Sequence, residues 1–366
     1  MSIALSNVSK RFGGVSAVDR VSFSVSEGEL VALLGPSGGG KTTVLRMIAG
    51  LEMPSDGDLF IRGQRVNDLP VQRRNIGFVF QNYALFKNMT VAGNIAFGLR
   101  IKKWPRAESE ARVAELVTLF GLAGLERRFP HQLSGGQRQR VAIARAMAPK
   151  PSVLLLDEPF GAVDAKIRQE LREWLARLHH ELNVTTLFVT HDQEEAMEVS
   201  SRIVIFSRGR LEQIGTPREV YEHPANEFVA RFIGVMNVLE LEVRDGVARV
   251  GEMEFPAPGQ PDGQRVRIGF RPYAVQISRD LSAGPYRAVL RRTYFLGIML
   301  RLELELRSGL TLRARMTKED YSQHGLEDGC EVSVLIRQYR VLAREDRLDA
   351  ERTARFDQPA TYADNI

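Results

Sequence analysis

The fold of this 366-residue chain is decided by the stretch Gly35-Pro36-Ser37-Gly38-Gly39-Gly40-Lys41-Thr42. It fits the pattern G-x-x-x-x-G-K followed by Ser or Thr, in which glycine lets backbone N–H groups curl around phosphate oxygens. The apolar run 30–34 before it is typical of a buried parallel strand, and the spacing in 43–49 predicts a helix. We therefore expect a phosphate-binding loop at a strand-to-helix junction, with Lys41 on the β- and γ-phosphates and the Thr42 hydroxyl on Mg²⁺. A glycine-rich turn that binds nothing would need neither the lysine nor the hydroxyl.

A second buried-strand pattern, residues 153–156, ends in Asp157 and Glu158. Carboxylates at the C-terminal end of a strand lie where nucleotides bind in open α/β sheets. Because side chains alternate along a strand, we expect Asp157 to face Mg²⁺ and Glu158 to face the attacking water as general base. Without Lys41 nearby, the same pair would be interpreted as a solvated turn.

A third segment, Leu133-Ser134-Gly135-Gly136-Gln137, precedes an Ala- and Arg-rich stretch of high helix propensity. Ser134 occupies the expected N-cap, and the glycines leave clustered N–H groups that can bind an anion. An ordinary N-cap is the alternative. One nucleotide has no use for two phosphate cradles this far apart in one chain.

In this order the segments resemble the nucleotide-binding subunits of ABC transporters, whose signature sequence residues 133–137 match at every position. The resemblance implies a head-to-tail homodimer in which each signature covers the γ-phosphate of an ATP held by the other subunit. It also implies roles for single residues: Phe12 stacks on adenine, Gln81 contacts Mg²⁺ and water, Asp164 lies in the loop that reaches across the dimer, and His191 touches the γ-phosphate.

The expected site falls into four groups. Catalysis is assigned to Glu158 and His191; ATP binding to Phe12, Ser37, Gly38, Gly39, Gly40, Lys41, Thr42, Thr43 and Gln81; ATP binding in trans to Ser134, Gly135, Gly136, Gln137 and Asp164; and Mg²⁺ binding to Thr42, Gln81 and Asp157. Outside the family, Phe12 would be interpreted as core, Gln81 as a loop residue and His191 as a histidine satisfied at a strand end.

Composition agrees with a cytoplasmic protein on the inner face of the membrane. The chain is 44% hydrophobic and 26% charged, and it shows neither a leader nor an apolar run long enough to span a bilayer. Its single cysteine, Cys330, suits a reducing compartment. The 50 basic and 45 acidic residues are interspersed, so no nucleic-acid partner is expected despite a pI of about 9.4.

The pattern predicts an α/β P-loop NTPase domain over 1–235, with an antiparallel β subdomain and a helical insertion at about 87–148. Short alternating strands predict an all-β, OB-like domain of the TOBE type over 236–346. Residues 347–366 are polar and are expected to be a flexible tail. An OB fold can also bind oligonucleotides, but no run of aromatics among basic residues supports that alternative.

Segments 77–86, 171–175, 190–196 and 235–237 look most like the ATPases of bacterial sulfate/thiosulfate importers. This resemblance implies two transmembrane permease subunits and an extracytoplasmic solute-binding protein as partners. ATPases of polyamine, iron and sugar importers share much of the pattern and remain alternatives. A soluble cassette ATPase acting on nucleic acid or ribosomes is a further one, although the chain has no second P-loop.

Overall fold

The computed structural model describes residues 1–161 and 163–342. They form two compact units, one ending at His223 and the next beginning at Pro224. This division precedes the expected boundary at 235 because the helix Glu227–Phe232 is tied to later strands: Arg271 donates a 3.0 Å hydrogen bond to the carbonyl of Ala230. The predicted tail 347–366 and the end of the predicted OB-like region lie outside the described residues.

The first unit is an α/β domain, as the sequence predicts. Its helices are α1 (Lys41–Ala49), α2 (Val91–Ile101), α3 (Arg106–Leu119), α4 (Gly135–Met147), α5 (Ala165–Leu182), α6 (Gln193–Val199) and α7 (Pro217–Glu222). Its strands are β1 (Ile3–Phe12), β2 (Val15–Val25), β3 (Leu30–Leu34), β4 (Asp56–Ile61), β5 (Gln64–Arg65), β6 (Ile76–Val79), β7 (Val153–Asp157), β8 (Thr185–Thr190), β9 (Arg202–Ser207) and β10 (Arg210–Gly215).

The central sheet has the order β10-β9-β3-β8-β7-β6, with β10 antiparallel and the other strands parallel. Every residue of β3 and β7 is buried, which explains their continuous apolar sequences. Since parallel strands end at the same edge, the phosphate loop after β3 and the acids after β7 lie at one edge of the sheet.

A second, antiparallel sheet has the order β2-β1-β4-β5 and shares one hydrophobic core with α1 and the central sheet. Buried Arg74 fixes the C-terminal end of α1, donating hydrogen bonds of 2.8 and 3.0 Å to the carbonyls of Met47 and Ile48. Helix α1, which carries Lys41 and Thr42, is therefore held rigidly at both faces and at its end.

Helices α2, α3 and α4 lie in the chain between β6 and β7, where the helical insertion is expected. The longest of the three, α3, runs from Arg106 to Leu119 inside the predicted insertion. No helix in the described part of the chain is long and apolar enough to cross a membrane.

The second unit is rich in β-structure, in agreement with the expected OB-like domain. Its strands are β11 (Asn237–Arg244), β12 (Val247–Val250), β13 (Met253–Pro256), β14 (Arg265–Phe270), β15 (Val275–Ser278), β16 (Tyr286–Leu296), β17 (Met299–Leu306), β18 (Thr311–Thr317), β19 (Glu331–Ile336) and β20 (Arg340–Leu342), with the helices α8 (Glu227–Phe232) and α9 (Lys318–Gln323).

These strands form two five-stranded antiparallel sheets around one core, ordered β13-β12-β11-β14-β20 and β15-β19-β16-β17-β18. The side chain of Asn237, on β11, joins the sheets by bonding both backbone groups of Arg313, on β18, at 2.8 Å. The side-chain amide thereby links two strands that belong to different sheets.

Candidate active site

The phosphate loop joins β3 to α1 and is held by its own lysine. Lys41 is 5% exposed, and its Nζ donates 2.8 Å hydrogen bonds to the carbonyls of Gly35 and Pro36. Burial lowers the pKa of the Lys41 ammonium, and the negative charges of Glu158 and Asp157 oppose this effect. The ammonium has three donors, so one remains for an anion beside the loop.

One glycine of the loop is required by close backbone packing, and another faces open space. A Cβ built on Gly40 would lie 2.6 Å from the carbonyl oxygen of Ala17, whereas a Cβ on Gly38 would meet nothing within 4 Å. Gly40 is the N-cap of α1 and provides no side-chain cap, so N–H groups of the first turn of α1 lack that partner. An open cradle of N–H groups at a helix N-terminus fits a phosphate group.

Thr42 and Asp157 bring two oxygen ligands together beside this cradle. The Thr42 hydroxyl donates a 3.1 Å hydrogen bond to Oδ1 of Asp157, which lies at the end of β7 and is 5% exposed. Burial raises the pKa of Asp157, while the Thr42 hydrogen bond and the charge of Arg46 lower it. A hydroxyl and a carboxylate at this spacing fit Mg²⁺, which prefers oxygen ligands.

Glu158 follows Asp157, the last residue of β7, and is held by two other residues of the site. Its carboxylate accepts a 2.8 Å hydrogen bond from Nε2 of Gln81 and lies 3.3 Å from Nδ1 of His191. The backbone of Glu158 has φ +45°, a left-handed conformation that is uncommon outside glycine. The strand has therefore ended before Glu158, so the side-chain alternation expected for Asp157 and Glu158 does not apply. The turn is closed by the 3.2 Å hydrogen bond from the N–H of Gly161 to the carbonyl of Glu158.

The loop that carries His191 is held by the buried carboxylate of Glu195, a residue that the sequence analysis did not single out. The Thr190 hydroxyl donates to Glu195, which is 5% exposed, and accepts a 3.0 Å bond from the N–H of Asp192. Glu195 also lies 3.9 Å from Nε of Arg168 on α5. The sequence signal was available, because Glu195 shares the buried face of α6 with Ala196 and Val199.

The residues expected to act in trans are bonded within their own helix starts. Ser134 Oγ accepts from the N–H of Gln137 at 3.2 Å, and Gln137 Oε1 accepts from the N–H of Ser134 at 2.9 Å, which forms a capping box for α4. Asp164 caps α5 by accepting from the N–H of Ile167 at 3.0 Å. The start of α4 is thus a second ordered helix N-terminus that can receive an anion.

Phe12 ends β1 and is 45% exposed, so it does not belong to the core. The ammonium of Lys10 lies 4.7 Å from the centre of its ring. An exposed ring at the end of a strand offers a flat apolar face, as stacking on a purine requires.

The structure therefore divides the expected site residues into two sets. Hydrogen bonds join Thr42 to Asp157, and Gln81 and His191 to Glu158, at the edge of the sheet that also carries Lys41. The hydrogen bonds of Ser134, Gln137 and Asp164 lie within their own helical turns. The first set has the geometry of a phosphate site with a candidate base, and the second consists of two capped helix N-termini.

Comparison with known proteins agrees with this geometry. Residues 18–161 match the family described as ABC transporter. The sulfate/thiosulfate import ATP-binding protein CysA of Thermosynechococcus vestitus is 52% identical over 89% of this chain and 94% of its own length. The protein of the same name from Bordetella bronchiseptica is 49% identical over 94% of this chain and 99% of its own length.

Among solved structures, the dimeric ATP-binding cassette MJ0796 in a post-hydrolysis state, bound to ADP and Pi, is 35% identical. It matches with a TM-score of 0.53 and covers 59% of this chain and 99% of that one. A fold match over a complete cassette, together with relatives matched along nearly their whole length, leads to one assignment: the chain belongs to the ATP-binding proteins of the ABC transporter family.

Proposed function

We propose that this protein is the ATP-hydrolysing subunit of an ABC importer for sulfate and thiosulfate. The observation that carries the proposal is the position of Glu158, held between Gln81 and His191 at the end of β7 and beside the phosphate loop. A carboxylate held by two neighbours that leave part of its surface free can orient a water against a terminal phosphoryl group.

Within one subunit the nucleotide is bound by the loop and the exposed ring. Backbone N–H groups from Ser37 to Thr43 surround the phosphates, the ammonium of Lys41 neutralises their charge, and Phe12 stacks on adenine. Lys41 is well prepared for this, since its bonds to Gly35 and Pro36 already fix its position. Little side-chain freedom is lost when a phosphate arrives.

Thr42, Asp157 and Gln81 would hold Mg²⁺, which neutralises charge on the β- and γ-phosphates when bound. The described residues contain no cluster of three or more His, Cys, Asp or Glu that could hold a metal by itself. In the proposed site Asp157 is the single carboxylate, and phosphate oxygens would complete the coordination shell of Mg²⁺. The Asp157 carboxylate accepts a hydrogen bond from the Thr42 hydroxyl, which leaves an oxygen lone pair of Thr42 free to bind the ion.

Hydrolysis requires a proton acceptor and a group that stabilises charge on the phosphoryl oxygens. Glu158 acts as the base or the water-orienting group, and the amide of Gln81 fixes its carboxylate. His191, whose side chain is 58% exposed, can turn a ring nitrogen toward the γ-phosphate. The chain of contacts from Glu195 through Thr190 keeps the backbone of this loop in place while the ring is free to engage.

The second half of the site comes from another copy of the chain. Ser134, Gly135, Gly136 and Gln137 place the N-terminus of α4 against the γ-phosphate bound by the partner, with Asp164 in the contact between subunits. The capping box supports this role because it orders the turn before any ligand arrives. The dimeric state of the related cassette MJ0796 supports a homodimer here as well.

The cargo is inferred from the relatives, which are named for sulfate/thiosulfate import. An importer of this kind needs permease subunits, so we place the protein against the inner face of the cell membrane, with an extracytoplasmic solute-binding protein supplying the anion. Helices α2 to α4 form the insertion that would receive the permeases. The second unit, with its own core, would carry regulatory and dimer contacts.

Deletion of the gene in the source organism tests the proposal. We expect uptake of radiolabelled sulfate and thiosulfate to fall, wild-type protein to restore it, and Glu158→Gln to fail to do so. Uptake of a polyamine, a sugar and iron serves as the control and should not change. Normal sulfate uptake in the deletion strain, with loss of one of the other solutes, would reassign the cargo and leave the ATPase assignment intact.

A further inference from the structure

The loop that follows Gln81 has a conformation that its sequence does not favour. Tyr83 has φ +62° and Ala84 has φ +46°, two consecutive left-handed residues that both carry a Cβ. Left-handed backbone is costly for residues other than glycine, and it persists only where surrounding contacts impose it. The loop is therefore held from outside, and the contacts that hold it also fix where Gln81 points.

Arg145, near the end of α4, is the principal such contact. Its guanidinium donates hydrogen bonds of 2.7 Å to the carbonyl of Ala84 and 2.9 Å to that of Tyr83. It also lies 5.4 Å from the ring centre of Phe86. The planar guanidinium thus binds both residues that have left-handed backbone.

The guanidinium of Arg145 is half-buried and has no carboxylate partner in the described part of the chain. Partial burial lowers its pKa. Its contacts are two neutral carbonyls and the aromatic face of Phe86. A sheltered cation that is compensated only by neutral groups adds little to stability through its charge. The two hydrogen bonds to the loop are therefore the contacts that give this side chain a role.

The far end of the loop is fixed independently by α2. Buried Asn94 accepts a 2.9 Å bond from the N–H of Phe86 and donates to the carbonyls of Phe86 and Met89 at 3.2 and 3.1 Å. The near end of the loop is the 2.8 Å contact between Gln81 and Glu158. Arg145 therefore acts on the segment between an anchored end and the proposed catalytic base.

We infer that Arg145 is a positioning residue, which keeps the loop 81–86 in its left-handed form so that Gln81 stays on Glu158. Because Arg145 and the signature glycines belong to the same helix, α4, a rotation of that helix moves the loop and the Glu158 carboxylate together. The inference deepens the proposed function and rests on it.

The test compares Arg145→Met, which keeps the side-chain length, with Arg145→Lys, which keeps the charge but not the fork. We expect kcat for ATP to fall about tenfold or more in Arg145→Met and by an intermediate factor in Arg145→Lys. KM for ATP should change less than about twofold, since the phosphate loop is untouched. A purely structural residue would alter both constants and lower the thermal midpoint.

Ala84→Gly supplies the matched rescue. Glycine adopts a φ of +46° without steric cost, so the loop depends less on the hydrogen bonds of Arg145. Alone, this change should leave kcat within about twofold; combined with Arg145→Met, it should recover about fivefold of the lost kcat. A kcat of Arg145→Met within twofold of wild type, or a loss that Ala84→Gly does not recover, would overturn the inference.

Hydrogen–deuterium exchange separates this inference from the proposed function, because it does not depend on turnover. In Arg145→Met, amides of residues 82–86 should exchange about tenfold faster, and those of β7 should be unchanged. Unchanged exchange at residues 82–86 would refute the positioning role of Arg145, even if the wild-type protein hydrolyses ATP. Faster exchange in Arg145→Met, together with a wild-type protein that hydrolyses no ATP, would support the positioning role of Arg145 and refute the proposed function.

Discussion

The amide of Gln81 bonds the carboxylate of Glu158 at 2.8 Å, although 77 positions of sequence and the whole helical insertion separate them. The two residues follow the ends of β6 and β7, which are parallel neighbours at the edge of the central sheet. Gln81, which precedes the helical insertion, is thereby hydrogen-bonded to Glu158, the residue proposed to activate water. This contact is the basis of the first prediction.

Glu158→Gln should abolish turnover and leave nucleotide binding intact. The amide keeps the size of the side chain but cannot accept a proton, so kcat should fall by about 10² to 10⁴. The Kd for ATP should remain within about twofold, and the ATP-bound dimer should accumulate, as size-exclusion chromatography with light scattering will show. Glu110→Gln, on the exposed face of α3, is the control. Turnover near the wild-type value would remove Glu158 from its role.

Gly38→Ala should weaken ATP binding through the open space of the cradle. Its φ is +76°, so alanine will cost about 1 kcal/mol of stability, and the new Cβ will occupy the space proposed for phosphate. Gly63, in the β4–β5 turn, has φ +77° and equally open surroundings, so Gly63→Ala has the same backbone cost.

We therefore expect similar thermal midpoints for the two variants, and a Kd for ATP that rises about tenfold or more only in Gly38→Ala. Equal ATP affinities, measured by isothermal titration calorimetry, would show that the phosphates do not enter this space.

Thr42→Ala should raise the Mg²⁺ requirement. Removing the hydroxyl deletes one oxygen ligand and the 3.1 Å bond to Asp157, so half-maximal ATPase activity should need about tenfold more Mg²⁺. Thr42→Ser keeps the hydroxyl and should behave as wild type. If Thr42→Ala showed an unaltered Mg²⁺ titration, the hydroxyl would have no part in holding the ion.

Ser134→Asp tests the shared site with the capping geometry preserved. Aspartate is as good an N-cap as serine, so α4 should remain intact, but its charge will repel the γ-phosphate of the partner's ATP. In the Glu158→Gln background we expect the ATP-dependent dimer to disappear while each monomer keeps its ATP affinity. Ser134→Asn, which caps without charge, should still dimerise. A dimer that tolerates aspartate would place Ser134 away from the phosphate.

Glu195→Gln should change how stability depends on pH. Burial raises the pKa of Glu195, and the charge of Asp192 adds to this, whereas the Thr190 bond and the charges of Arg168 and His191 oppose it. A raised pKa means that the folded protein holds this proton more tightly than the unfolded chain does. The associated stabilisation is therefore present below the ordinary glutamate pKa and lost as pH rises through the raised one.

The neutral variant lacks that loss, so the free energy of unfolding should move in its favour as the pH rises above the ordinary glutamate pKa. Urea titrations followed by tryptophan fluorescence report on the first unit, which holds both tryptophans, Trp104 and Trp174. Glu194→Gln, an exposed neighbour, should show no such trend. A flat difference for Glu195→Gln would mean that the carboxyl is ionised at little cost.

The sequence predicted the segments whose local pattern and tertiary role agree. The strand Leu30–Leu34 is apolar throughout because both faces are covered, and the glycines and Lys41 after it have one common use. The contact between Glu158 and His191 was not predicted, because residues that follow different strands reveal no contact in a single sequence. The family resemblance supplied only the role of His191 toward the γ-phosphate.

Other features were hidden because tertiary structure overrides local expectation. Arg145 and Glu195 are charged, and charged side chains are expected on the surface, yet both lie in sheltered positions with specific partners. Strand β16 is hard to recognise from the sequence because a bulge between Leu290 and Arg292 interrupts its alternation and leaves Arg291 and Arg292 both exposed. Helices α7, α8 and α9 have six residues each, too few to show a helical period.

The place of β3 in the sheet has a consequence for biosynthesis. This strand emerges early, but its two hydrogen-bonding partners are Thr185–Thr190 and Arg202–Ser207. At typical translation speeds the nascent chain waits roughly ten to thirty seconds with both edges of an apolar strand unpaired. Until β9 leaves the ribosome, β3 lacks the two strands that flank it, so the nucleotide pocket can form only late in synthesis.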